Sequence, residues 1–226
     1  MSNIVNSKFF SFMSTVGDLI LLNILFILCS LPIITIGASA TALYSSTKSI
    51  LNKEYKYASR NFFKFFKENF KNSTIQWIIL LIVGYLLGIY TFYVANYLNN
   101  ILLLVPYIML FVIYTFILLY AFALQSNFEN KPLTILKNAF FTACKHLPYT
   151  LPVYIITYFP MVLTLRTSRS IAIAGPFWIV IGFSLTSLVR ATLLQRKVFQ
   201  IYFDKEEQLK ALSGASSDKS DSSRNA

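Results

Sequence analysis

Five stretches of this chain contain no Asp, Glu, Lys or Arg: residues 19–36, 75–95, 101–124, 147–165 and 171–189. At about 1.5 Å per helical residue the shortest reaches about 27 Å, close to the roughly 30 Å hydrocarbon core of a bilayer. Within lipid every backbone N–H and C=O has to bond inside the segment or in a closed barrel. These runs are continuously apolar instead of alternating with period two, so helices are expected and a barrel is not. The expected fold is all-α: a polytopic membrane protein with five transmembrane helices in one membrane domain, residues 1–212. The first run exceeds the usual h-region of a signal peptide and no small-x-small cleavage site follows it, so it is expected to remain as the first helix.

Composition agrees with this. Hydrophobic residues make up 56% of the chain and charged residues 13%, against roughly 45–50% and about 25% in a soluble domain. A soluble enzyme is excluded, and five crossings leave room for no sizeable extramembrane domain. The excess of 20 Lys and Arg over 9 Asp and Glu gives +11. On so apolar a chain this charge points to the basic flanks of a membrane protein and not to nucleic acid.

The position of the charge orients the chain. Residues 38–72 carry 7 Lys and Arg, residues 126–146 carry 3 and residues 190–226 carry 7, while the other side has only Lys8, Arg166 and Arg169. The positive-inside rule then puts the N-terminus outside and the C-terminus in the cytoplasm, with the bacterial cytoplasmic membrane as the setting. For the first helix, full crossing and re-entry both stay open.

Residues 57–71, YASRNFFKFFKENFK, sort at 100° per residue into two arcs. Phe62, Phe63, Phe65, Phe66 and Phe70 share one with Ala58, and Arg60, Lys64, Lys67 and Lys71 share the other. An amphipathic interfacial helix is expected, bound to an anionic inner leaflet at about 1 kcal/mol per basic residue. It serves either as an anchor for the second span or as a docking surface for a cytoplasmic partner. A weaker copy precedes the fourth span, with Leu133, Leu136, Phe140, Ala143, Cys144 and Leu147 on one arc. The segments leading into the second and fourth spans, FFKENFKNST at 65–74 and FFTACKHLPY at 140–149, suggest a parallel repeat of two hairpins. The tail 213–226 has too little apolar surface to offset its ordering entropy and is expected to be disordered. Asn72-Ser73-Thr74 matches a glycosylation acceptor but falls on the cytoplasmic side in this topology.

No catalytic, metal or cofactor site is expected. Cys29 and Cys144 form neither a disulfide framework nor a ligand spacing and read as packing residues. His146 is two residues from Cys144, and residues two apart on a helix do not face each other. GxxxxGK[ST], GxSxG and HExxH motifs are all missing.

Polar and small residues concentrate in and after the first run: Gly17, Asp18, Asn23, Pro32, Thr35, Gly37, Ser39, Thr41 and Tyr44. Pro32 removes an intrahelical bond and Gly37 relaxes the backbone, so a break or kink is expected there. The freed carbonyls and the hydroxyls could hold a polar ligand. On the other reading, the hydroxyls satisfy the broken backbone and the small residues allow close packing. Asp18 is the one carboxylate near the outer face. It is expected either to pair with Arg166 or Arg169 or to stay hydrated at the interface.

The stretch FFSFMSTVGDLILLNILFILCSLPIITIGASATALYSS at 9–46, followed by FFKFFKENFK, resembles the YesL-like family of bacterial membrane proteins, a domain of unknown function. The matching positions are Gly17, Asp18, Asn23, Pro32, Thr35, Gly37, Ser39, Thr41, Ala42 and Leu43; Phe26 departs, where many members have Trp. The resemblance implies an accessory role in carbohydrate uptake, alongside sugar-transporter permease subunits. An autonomous small-molecule permease or flippase is the alternative. Proton coupling is disfavoured in either case, because the five runs lack the carboxylate or histidine that such transporters use.

Overall fold

The computed structural model describes residues 2–54, 57–94 and 104–199. The tail 213–226, Lys56 and the loop between the second and third spans lie outside the described residues, which form helices joined by short turns with no strand.

Helix α1 (Ser2–Ser30) ends where Pro32 cannot continue the hydrogen-bond ladder. One 3-10 turn, Ile33–Thr35, carries the chain into α2 (Ile36–Asn52). The expected break in the first run is therefore present, at residues 31–35. Lys53 closes α2 in the left-handed region, φ 57°. Its N–H bonds the carbonyl of Ile50 and that of Glu54 bonds Ser49, a Schellman closure built without glycine.

Helix α3 runs without interruption from Ala58 to Tyr93. The expected interfacial helix 57–71 and second span 75–95 are thus one element. Phe62 does not lie among acyl chains as expected. It is fully buried, in a cluster with Leu22, Leu43 and Ile50, because α1 and α2 cover the aromatic arc that a helical wheel leaves open. Phe66 is half-buried, while Phe63 and Phe70 are exposed.

Helix α4 (Leu104–Gln125) leads to the short α5 (Pro132–Lys145), which opens with Pro at its first turn. The face that α5 buries is Ile135, Leu136, Ala139, Thr142 and Ala143, while Leu133 and Cys144 are exposed. The arc expected through residues 133, 144 and 147 is rotated from the buried one. Helix α6 (Leu147–Leu165) turns back into α7 (Ser168–Phe177). A π-helical turn, Trp178–Gly182, follows Pro176 and joins α7 to α8 (Phe183–Leu194).

Five helical stretches are long and apolar enough to cross a membrane: Phe9–Ser30, Ala58–Tyr93, Val105–Gln125, Leu147–Leu165 and Ser168–Phe199. Only 11% to 39% of their most apolar windows is buried. Most of the apolar surface thus faces outward, the reverse of a water-soluble protein. The chain is a multi-pass membrane protein. Its interior holds two apolar clusters, one centred on Leu119–Leu124 of α4 and the other on α1, α2 and the start of α3. Helix α2 is buried at 12 of its 17 positions, its small side chains letting neighbours approach from all sides.

Candidate functional site

The motif of the first run proves to be backbone carpentry. The Asn23 Nδ2 donates to the carbonyls of Trp178 (2.9 Å) and Ile179 (2.7 Å), and its Oδ1 accepts from the Ser184 N–H (3.0 Å). Those are groups of the π turn and its exit, where the regular ladder is interrupted by Pro176 and by the wider turn. Thr35 Oγ1 donates toward the carbonyls of Cys29 (2.6 Å) and Pro32 (2.7 Å) at the break, the latter also accepting the Thr35 N–H (3.0 Å). Thr41 Oγ1 bonds Gly37 O and Ser73 Oγ (2.8 Å), tying α2 to α3. Gly37 makes that approach possible, because a Cβ there would lie 2.4 Å from the Ser73 carbonyl oxygen and 2.6 Å from Trp77 Cβ. At Asn23, Thr35 and Thr41 the side-chain polar groups are thus engaged with the protein's own backbone and with Ser73. Ser39 is buried, and its Oγ has no partner among the described residues.

Two residues of the motif lie apart. Gly17 is exposed, and a Cβ there would meet nothing within 4 Å. Asp18 is half-buried on α1, while Arg166 and Arg169 are exposed around the turn between α6 and α7. On α3, Arg60, Lys64, Lys67 and Lys71 are exposed, and Lys64 reaches Glu68 at 4.0 Å.

Tyr44 leads from this motif to a site that the charge pattern concealed. The guanidinium of Arg190 sits over its ring, 5.6 Å from the centroid. Arg190 follows directly on the last uncharged run and was counted with the basic flank, yet the chain continues as one helix from Ser168 to Phe199. Arg190 faces inward, into a cavity of about 200 Å³ lined from α1, α2, α3, α4, α6 and α8. Its walls include the aromatic rings of Phe26, Trp77, Phe122, Tyr158, Trp178 and Phe183. Phe26, the position departing from the resembling pattern, packs its ring on Phe183 at 5.2 Å. The Nε of Arg190 is buried without a hydrogen-bond partner among the described residues, as is Thr157 Oγ1 in the same lining. No carboxylate pairs with Arg190 among the described residues. A sequence signal for this placement exists in the apolar residues that resume at Ala191, Leu193 and Leu194, embedding the charge in a hydrophobic run.

Below Arg190 lies a polar layer. Lys48 Nζ donates to Asn127 Oδ1 (2.7 Å), which also accepts from Gln195 Nε2 (3.3 Å), and Gln76 bonds Gln125 nearby. Burial pushes the Lys48 ammonium below its usual range, partly opposed by Glu54. His146, between α5 and α6, is held low by burial and then by Lys145. The arrangement can bind and orient an anion. Among the described residues no three His, Cys, Asp or Glu side chains gather as a metal site.

Residues 19–91 match a family described as "Protein of unknown function, DUF624". The match takes in Asn23 through Tyr44 but stops short of α4 and of Arg190. No curated protein and no solved structure matches the chain.

Proposed function

We propose that this membrane protein is an accessory, non-enzymatic component of a bacterial cytoplasmic-membrane system for carbohydrate uptake. In this reading the N-terminus lies outside, the C-terminus lies in the cytoplasm, and the chain associates with permease subunits. The observation that carries the accessory role is the chemistry of the interior. The four acids among the described residues are Asp18, Glu54, Glu68 and Glu129. None lines the cavity, whose polar groups are hydroxyls, ring N–H groups and one arginine. Such an interior binds and holds, with no carboxylate among the described residues positioned to couple a proton to transport. The carbohydrate part rests on the resemblance of residues 9–46 to the YesL-like family. The exposed basic residues of α3 suit an anionic inner leaflet.

An autonomous permease or flippase is the second reading, favoured by the cavity itself, which lies within the spans. Affinity purification of the tagged chain in mild detergent separates the two. The accessory reading expects sugar-permease subunits to co-isolate in defined stoichiometry. Isolation of the chain alone, together with solute flux in vesicles holding only this protein, would establish the second.

A further inference from the structure

Most of the polar side chains that line the Arg190 cavity are engaged within the protein. Trp77 Nε1 donates to the Ile33 carbonyl and Trp178 Nε1 to Thr164 Oγ1. Tyr158 donates to the Thr115 carbonyl, Thr186 to the carbonyls of Gly182 and Phe183, and Ser187 bonds Thr47. Arg190 Nε and Thr157 Oγ1 are buried without a hydrogen-bond partner among the described residues. A guanidinium does not give up its proton, and a buried charge that no carboxylate among the described residues meets is strongly disfavoured in apolar surroundings. Water in the cavity would meet the hydrogen-bonding need and leave the charge unbalanced. A neutral sugar would likewise leave the charge unbalanced.

The surroundings also fix what must accompany the anion. Met161, 43% exposed, stands both in the cavity wall and on the surface of α6, so the cavity reaches the face that meets lipid. Through Met161, Trp178 and Phe183 it adjoins a second hollow of about 200 Å³ that runs along Leu165 and Ile171. Arg190 lies five residues before Gln195, about 7.5 Å along the helix. The cation is therefore roughly a turn and a half deeper than the polar layer of Lys48, Asn127 and Gln195, with the apolar hollow leading away from that layer.

From this we propose that the cavity binds the oxyanion head of a membrane amphiphile, a phosphodiester or a carboxylate carrying an acyl chain. Arg190 and Thr157 hold the head, and the chain lies along the hollow between α6 and α7. The assignment is independent of which uptake system the protein serves.

Thermal unfolding of the full chain in lipid-free neutral detergent tests it, with oleate, phosphatidylglycerol, uncharged diacylglycerol and inorganic phosphate as four separate additions. Wild type is expected to gain roughly 5 °C with saturating oleate or phosphatidylglycerol and nothing with the other two. Whichever anionic lipid acts at lower concentration identifies the head. Arg190→Met should abolish the gain, and Thr157→Val should raise the lipid concentration for half-effect about five-fold. Arg190→Lys, which keeps the charge and loses the fork, should weaken binding as well and carries the test if Arg190→Met does not fold. Equal gains in wild type and the Arg190 variants would place binding on the exposed basic residues of α3 and overturn the proposal. A response to inorganic phosphate as large as to lipid, or no response to either anionic lipid, would overturn it too.

Discussion

Asn23 on α1 accepts the backbone N–H of Ser184 at 3.0 Å, and the two helices are locked in register at the point where the last span loses its regular ladder. The same side chain donates to Trp178 and Ile179. One amide thus serves three backbone groups, all in the span opposite. Asn23→Leu would remove these three bonds from buried and part-buried groups, each costing on the order of 1–3 kcal/mol. The expected outcome is a fall of roughly 6–12 °C in the unfolding midpoint in detergent. An unchanged midpoint would mean that the π turn needs no support from α1.

Glycines divide by what a methyl group would meet. Gly37→Ala forces Ser73 and Trp77 away from α2 and should cost about 1–3 kcal/mol. Gly17 and Gly88 have open space at the Cβ position, so Ala at either should raise stability by about 0.5–1 kcal/mol through helix propensity. Unfolding curves of the three variants side by side check the contrast.

Acid should weaken the fold through His146. Burial, then the neighbouring Lys145, hold its imidazole below the ordinary 6.5, so the folded state favours the neutral form. The unfolded chain then binds more protons in the window just below pH 6.5. Stability is fully present above that value and declines as pH falls through the window. His146→Asn should flatten this part of a midpoint-versus-pH curve; an identical slope in both proteins would remove the histidine from the account.

Orientation can be read with a native residue. Cys144 is exposed at the end of α5, and Cys29 is half-buried in α1. In Cys29→Ser protein, an impermeant maleimide should label Cys144 only after the cells are opened. Labelling of intact cells would invert the topology.

Much of the fold was legible because lipid allows few solutions. The five apolar runs and the break at Pro32 follow from backbone hydrogen bonding, and the Thr35 hydroxyl meets carbonyls at that break. Burial was harder to read. The wheel of residues 57–71 identified an aromatic face, but nothing local indicated that α1 and α2 cover Phe62. Helix α2, rich in Ser, Thr, Ala and Gly, is a thoroughly buried element without a strong apolar pattern, because close packing of small side chains takes the place of hydrophobicity. Arg190 was hidden for a related reason. A charge at the end of an uncharged run is assigned to the flank by any count, and only the tertiary structure shows that the helix continues and turns that residue inward.

If the polar residues of α1 hold the fold together while Arg190 is kept for a ligand, the two positions respond oppositely to apolar substitution. The unfolding midpoints of wild type, Asn23→Leu and Arg190→Met are measured in lipid-free neutral detergent. Removing an uncompensated buried charge should leave the midpoint of Arg190→Met at or above that of wild type, while Asn23→Leu falls well below it. If Arg190→Met falls as far as Asn23→Leu, the arginine is a structural residue and the claim is contradicted.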